Sequence, residues 1–193
     1  KLMPTNPERM VHGFGDATGL RTVDTPVGRI GTLICWENYM PLARYSLYAQ
    51  GVEIYIAPTY DTGEGWISTM RHIALEGRCW VLGSGTVLRG SDIPDDFPAR
   101  EQLFPDRDEW INDGDSVVVD PQGRLVAGPL HREAGLLFAD IDVTLVAPAR
   151  RTLDVTGHYA RPDIFELQVR RTPATAVRYI DESRQAATVA PDN

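Results

Sequence analysis

The chain has 193 residues, of which 42% are hydrophobic and 24% charged, with a formal net charge of −8. Those proportions suit a globular domain with a sizeable core and exclude extensive disorder. The acidic total, without any Lys/Arg cluster, excludes a basic nucleic-acid face, and no apolar run approaches the roughly 18 residues that a membrane helix needs.

The opening Lys1-Leu-Met-Pro-Thr5 has no apolar core of signal-peptide length. It also lacks an initiator Met, so an upstream portion is expected to be absent. Two cysteines, Cys35 and Cys79, are too few for a disulfide scaffold and fit a reducing compartment, which points to the cytoplasm. Residues 1–20 carry Pro4, Pro7, Gly13, Gly15 and Gly19 and read as a loop that covers a site. A short strand is predicted over 22–24, a turn over 24–28 and a strand over 29–34. Pro41 suits the first turn of a helix running to about Gln50, with Gly51 as its stop and Leu42, Tyr45, Tyr48 and Ala49 as its packed stripe. Residues 52–57 form a strand ended by Pro58, and 59–65 a polar loop. The next helix, from about Trp66 to Gly77, buries Ile67, Met70, Ile73 and Ala74 at a 3.6-residue repeat. Residues 79–83 add a strand. This alternation of strands and helices predicts a layered α/β fold.

Residues 89–114 are acidic, hold three prolines and read as a long surface excursion, a length that goes with a functional or assembly role. Residues 116–120 and 124–127 make a hairpin across the Pro121-Gln-Gly123 turn. A strand over 136–142 and a helix over 143–153 follow. Residues 157–162 break the pattern, Ile164, Phe165, Leu167 and Val169 mark a last ordered element, and 186–193 form a loose tail.

Cys35 ends an apolar strand, is followed by the polar Trp36-Glu-Asn38 and precedes the helix start at Pro41. A nucleophile needs such a place, on a rigid strand end with a turn that lifts the side chain out. A buried, inert cysteine fits the same spacing. Cys79, inside an apolar strand, reads as core. His72 reads as a packing or hydrogen-bonding residue, His12 and His131 as exposed, and His158 as structural or a subunit contact. The four histidines have no ligand spacing, so no metal is expected. Asp61 and Tyr60 lie in a loop after a strand, where sites gather.

Cys35-Trp-Glu-Asn-Tyr-Met-Pro-Leu42 resembles the nucleophile region of the carbon–nitrogen hydrolase superfamily, in its nitrilase branch. Lys1-Leu-Met-Pro-Thr5 with Glu8-Arg9 and Gly15-Asp16 is similar to the catalytic-lysine segment, and Lys1 stands 34 positions before Cys35 as in the family. Ala57-Pro-Thr59 with Asp61, His72-Ile-Ala-Leu-Glu-Gly77, Asp140-Ile-Asp142 and Gly157-His-Tyr-Ala-Arg-Pro-Asp163 continue the match. The resemblance implies a four-layer α-β-β-α sandwich of which this chain supplies the later part, the C-terminal portion of a nitrilase lacking its N-terminal part. Residues 1–193 would then be a partial domain, with 89–114 a surface insertion and 166–193 a C-terminal extension.

In the resemblance, Cys35 is the nucleophile and Lys1 stabilises the negative charge of the tetrahedral adduct. Glu8 is a second carboxylate that orients the lysine or helps proton transfer, and the Trp36 N–H is an oxyanion donor. Trp36 and Tyr60 line the substrate pocket. The family's general-base glutamate lies before the lysine and has no counterpart here, so the 193 residues alone are expected to be inactive. The implied reaction takes a nitrile to acid and ammonia through a thioimidate and a thioester, with no cofactor. Cys-Trp-Glu favours a nitrilase over an amidase or N-carbamoyl hydrolase. A cyanide-converting enzyme and a non-catalytic interaction module on the same fold are the remaining alternatives. The partners implied are a small-molecule nitrile and further copies of the chain. These would form a homodimer or a larger helical or spiral oligomer through 38–50 and 64–78, with further contacts from 89–114 and the tail.

Overall fold

The computed structural model describes residues 1–172 and Val177. The tail expected at 186–193 and most of the extension expected at 166–193 lie outside the described residues. The strands are β1 (Val23–Thr25), β2 (Gly28–Thr32), β3 (Ile54–Thr59), β4 (Trp80–Gly85), β5 (Val87–Arg89), β6 (Trp110–Val119) and β7 (Leu125–His131). The helices are α1 (Pro41–Ala49), α2 (Glu64–Gly77), α3 (Arg100–Leu103) and α4 (Val146–Thr152). Seven strands form a sheet in the order β1-β2-β3-β4-β6-β5, with β7 paired to β6. Strands β2, β3 and β4 are parallel, because α1 and α2 supply the crossovers that parallel strands require. The rest of the sheet is antiparallel, built from hairpins.

The two-residue period of each strand divides the core between two faces. On one face, Tyr55 and Ala57 of β3, Val81 of β4 and Val117 and Val119 of β6 meet Leu47 of α1 and Trp66, Met70 and Ile73 of α2, all essentially inaccessible. Each such apolar side chain contributes about 1.5–3 kcal/mol on leaving water. On the other face, Trp80 and Val118 pack against Val146 of α4, with Leu137, Ala139 and Ile141 partly buried around them. The helices α1 and α2 touch closely where Gly77 meets Tyr48, and a Cβ at Gly77 would lie 2.4 Å from that ring.

The resemblance implies a chain that supplies only the later part of a four-layer sandwich. The described residues instead form a continuous α/β domain from Lys1 onward, whose sheet has a packed cluster on each face. The stripe read on α1 is also corrected. Leu42 is exposed, and the buried positions are Ala43, Arg44, Ser46, Leu47 and Tyr48. The physical reason is Arg44, whose guanidinium turns inward to the Asn38 carbonyl at 2.8 Å and to Glu76 at 2.9 Å, so a charged residue occupies the core face. Pro58 lies inside β3 rather than ending it. Strand β2 stops at Thr32, opposite Ile56, so one side of β3 has no ladder to lose at Pro58. Residues 136–142 form no strand: their alternating burial comes from packing on Trp80 and Val118, without a backbone ladder to a neighbouring strand. Strand β6 begins at Trp110, so the last residues of the 89–114 excursion lie in the sheet. Ile164 and Phe165 are exposed and belong to no regular element.

Candidate active site

The chain leaves β2 at Thr32 and turns at Cys35, whose φ of +55° lies in the left-handed region that costs a non-glycine residue about 1–3 kcal/mol. Two buried polar side chains from the same short turn hold it there. Asn38 donates from Nδ2 to the Leu33 carbonyl at 3.0 Å and the Cys35 carbonyl at 2.8 Å, and its Oδ1 accepts the Tyr55 hydroxyl at 2.8 Å. Glu37 accepts the Ile34 amide at 2.8 Å and the amides of Leu2 and Met3, so one carboxylate ties the start of the chain to the cysteine turn. Cys35 itself is half-buried and its thiol is free. The amides of Cys35 and Trp36 open the Cys35–Tyr39 3-10 turn, where the first N–H groups have no partner within the helix.

The segment docked by Glu37 carries Lys1 and Glu8. The Glu8 carboxylate accepts from the Lys1 ammonium, and from the Thr5 amide and hydroxyl at 2.6 Å each. These partners, the lysine first, bring its pKa down to about 2. The Lys1 carbonyl takes the Gly15 amide at 2.8 Å, and a Cβ at Gly15 would lie 2.5 Å from that oxygen, so the glycine permits the approach. Glu8, Cys35, Trp36, Tyr60 and Asp61 line one largely apolar cleft of about 690 Å³. Lys1 joins the group through Glu8. Trp36 and Tyr60 are each about half exposed, at 54% and 53%. A thiol and a carboxylate that is paired with the Lys1 ammonium thus line one opening, beside the start of a 3-10 turn, a set suited to adding sulfur to an electrophilic carbon.

Several contacts here escape a reading from sequence. Asp61 Oδ2 accepts both the Trp36 indole at 3.0 Å and the Tyr39 hydroxyl at 2.7 Å. Burial and the Asp61 charge push the Tyr39 hydroxyl up to about 12. Asp115, fully buried in β6, takes the Gly63 amide at 2.7 Å, the Thr62 hydroxyl, and His131 Nδ1 at 2.7 Å. Its burial favours the neutral acid, but these three partners outweigh it and hold the carboxyl below its ordinary value. His131, read as an exposed residue without a role, is therefore a partner of a buried carboxylate. No local pattern marks it in the sequence, since the two residues lie 16 positions apart. Beneath the turn, Glu76 receives Arg44 and the Tyr48 hydroxyl, the latter at 2.8 Å. His72 is exposed, 3.7 Å from Glu76. Cys79 is wholly buried, and burial pushes its thiol up to about 12.

A profile of the carbon–nitrogen hydrolase family matches residues 1–151. Among relatives, the chain is 48% identical over 177 residues to an aliphatic nitrilase of Sinorhizobium fredii, covering 92% of this chain and 57% of that protein. It is 43% identical to a bifunctional nitrilase/nitrile hydratase of Nicotiana tabacum, covering 96% and 54%. A carbon-nitrogen hydrolase from Helicobacter pylori shares the fold, with a TM-score of 0.65 at 23% identity over 82% of this chain and 55% of that one. The chain spans about half the length of the curated relatives it matches. The profile matches from residue 1, and the described residues form a nitrilase-type α/β domain from there onward. The reading of these residues as only the later part of such a domain is corrected to that extent: the match and the packed domain run from residue 1.

Proposed function

The chain belongs to the carbon–nitrogen hydrolase family, and from that premise we propose that it hydrolyses an organic nitrile to the carboxylic acid and ammonia. The observation that carries this is the shared cleft of Cys35, Glu8 and Trp36, with Lys1 held on Glu8. The Cys35 sulfur adds to the nitrile carbon, and the nitrogen takes up a proton to give a thioimidate. Water adds to that carbon. Ammonia then leaves with rupture of the C–N bond, and a second water releases the acid and frees the thiol. In this role Lys1 and the Trp36 amide stabilise the charge that develops as each tetrahedral species forms, where preorganised donors act most strongly. Glu8 keeps the lysine in place. Trp36 and Tyr60 form the pocket around the organic group.

The Nicotiana relative, named for both nitrilase and nitrile hydratase activity, favours an amide as second product. An amide forms when the hydrated thioimidate expels the thiolate instead of ammonia, so the same residues serve both outcomes.

The two free thiols support a reducing, cytoplasmic setting. Among the described residues no helix is long and apolar enough to cross a membrane. The exposed Leu42 on α1 and Leu75 on α2 support self-association into a homodimer or larger oligomer, which sedimentation at several concentrations tests.

The deciding experiment incubates the protein with aliphatic and aromatic nitriles, and separately with the matching amides, and measures acid, amide and ammonia. Turnover of nitriles that disappears in Cys35→Ala is the expected result. Turnover of amides with inert nitriles overturns the proposal in favour of an amidase.

A further inference from the structure

We infer that Asp61 sets the width of the cleft beside Cys35, by fixing the Trp36 indole as a wall that admits slender nitriles and hinders bulky ones. The inference deepens the proposed function and rests on its assignment of Cys35 as nucleophile.

Trp36 follows the cysteine directly and is more exposed than buried, at 54%. A side chain so placed has several staggered positions open to it unless something selects one. Asp61 makes the selection, since its Oδ2 accepts the indole N–H at 3.0 Å in a charge-assisted bond. The same oxygen takes the Tyr39 hydroxyl at 2.7 Å, and the Tyr39 ring meets the fully buried Trp66 edge-on at 6.4 Å. The indole is therefore tied, through one carboxylate oxygen, to a ring set against the core.

The carboxylate is itself held. The Asp61 amide donates to the Thr59 hydroxyl at 2.8 Å, and its Oδ1 accepts the Thr62 amide at 2.9 Å. On either side of it the loop is fastened to buried residues of β6: Asn112 donates to the Tyr60 carbonyl, and Asp115 takes the Gly63 amide at 2.7 Å. The strand-end loop thus has little freedom of its own, and the indole inherits its position. Asp61 touches no reacting atom in this account. It acts through Trp36 and is a positioning residue whose effect falls on selectivity.

The test uses the full 193-residue chain and reads Cys35 alkylation by intact mass, with iodoacetamide as the slender reagent and its N-phenyl analogue as the bulky one. Cys79 is sealed in the core and stays silent. The wild-type chain is expected to favour the slender reagent, and Asp61→Ala to lose about tenfold of that preference, the value of one hydrogen bond. Asp61→Asn keeps an oxygen for the indole and is expected to stay within about twofold of wild type. Trp36→Phe removes the donor and is expected to behave like Asp61→Ala. General loosening would speed both reagents together and be restored by no conservative variant, so the ratio and its rescue separate positioning from stability. An unchanged ratio in Asp61→Ala overturns the inference, and Trp36→Phe decides the matter should Asp61→Ala fail to fold. A wild-type chain that shows the expected alkylation pattern but turns over amides and leaves nitriles inert overturns the proposed function and leaves the clamp standing.

Discussion

The two cysteines of this chain lie in opposite environments. Cys35 stands past the end of β2 with a left-handed backbone, half open to a cleft. Cys79 enters β4 inside the main core, with no accessible surface and a thiol held near 12 by burial. Residue type is identical, so the difference lies in the supports. A carboxylate and an amide side chain fix the first from below, while the main core encloses the second, with Arg150 and Glu76 near enough to act on its thiol. Accessibility and backbone placement, more than the presence of sulfur, decide which of the two can act.

The strongest way to break this contrast is substitution of each cysteine. Cys35→Ala is expected to lower nitrile turnover by at least about 10⁴-fold, as loss of a nucleophile does, with Tm nearly unchanged. Next in size is Glu37→Ala, which strips the acceptor from amides on two segments of the chain. Three unpaired amides at about 1–3 kcal/mol each predict a loss of about 3 kcal/mol or more in urea unfolding. The same variant should alter Cys35 labelling in native buffer, while Cys79 remains protected until global unfolding. Equal labelling of both thiols would erase the distinction. Cys79→Ala is expected to cost about 1 kcal/mol through the small cavity it leaves and to keep turnover per folded molecule, as paired denaturation and kinetic measurements would show.

The smallest effect concerns acid. The folded Glu8 carboxyl sits near 2, against an ordinary value of 4.5. Its contribution is therefore complete above about pH 4.5 and is lost as pH falls towards 2. Acid unfolding of Glu8→Gln should lack that part of the slope, and superimposable curves for the two proteins would show that the Lys1–Glu8 contact adds nothing to stability.

Legibility in the sequence follows the same division between apolar pattern and polar tie. Helix α2 reads correctly because Ile67, Met70, Ile73 and Ala74 keep a helical period and all four are buried. Helix α1 reads about one residue out of phase, because hydropathy assigns Arg44 to solvent while Glu76 and the Asn38 carbonyl draw it inside. Residues 136–142 have the alternation of a strand without a neighbour to pair with, and alternation reports burial, not hydrogen bonding. Around the sulfur, Cys35 stands out locally, whereas the Lys1–Glu8 pair and the cleft that Glu8 shares with Cys35 follow only from the resemblance. Glu37 binds amides more than 30 positions upstream, and no local pattern announces such a bond. The Asp61 bonds to Trp36 and Tyr39 span more than 20 positions and are hidden for the same reason.

The ring beside the sulfur hangs from a loop, while the sulfur rests on buried side chains of another part of the chain. A sequence library confined to residues 60–62 can therefore re-size what the protein admits while the Asn38–Tyr55 foundation stays intact. Selectivity and reactivity become separately adjustable, and a designer has a dial for one that leaves the other in place.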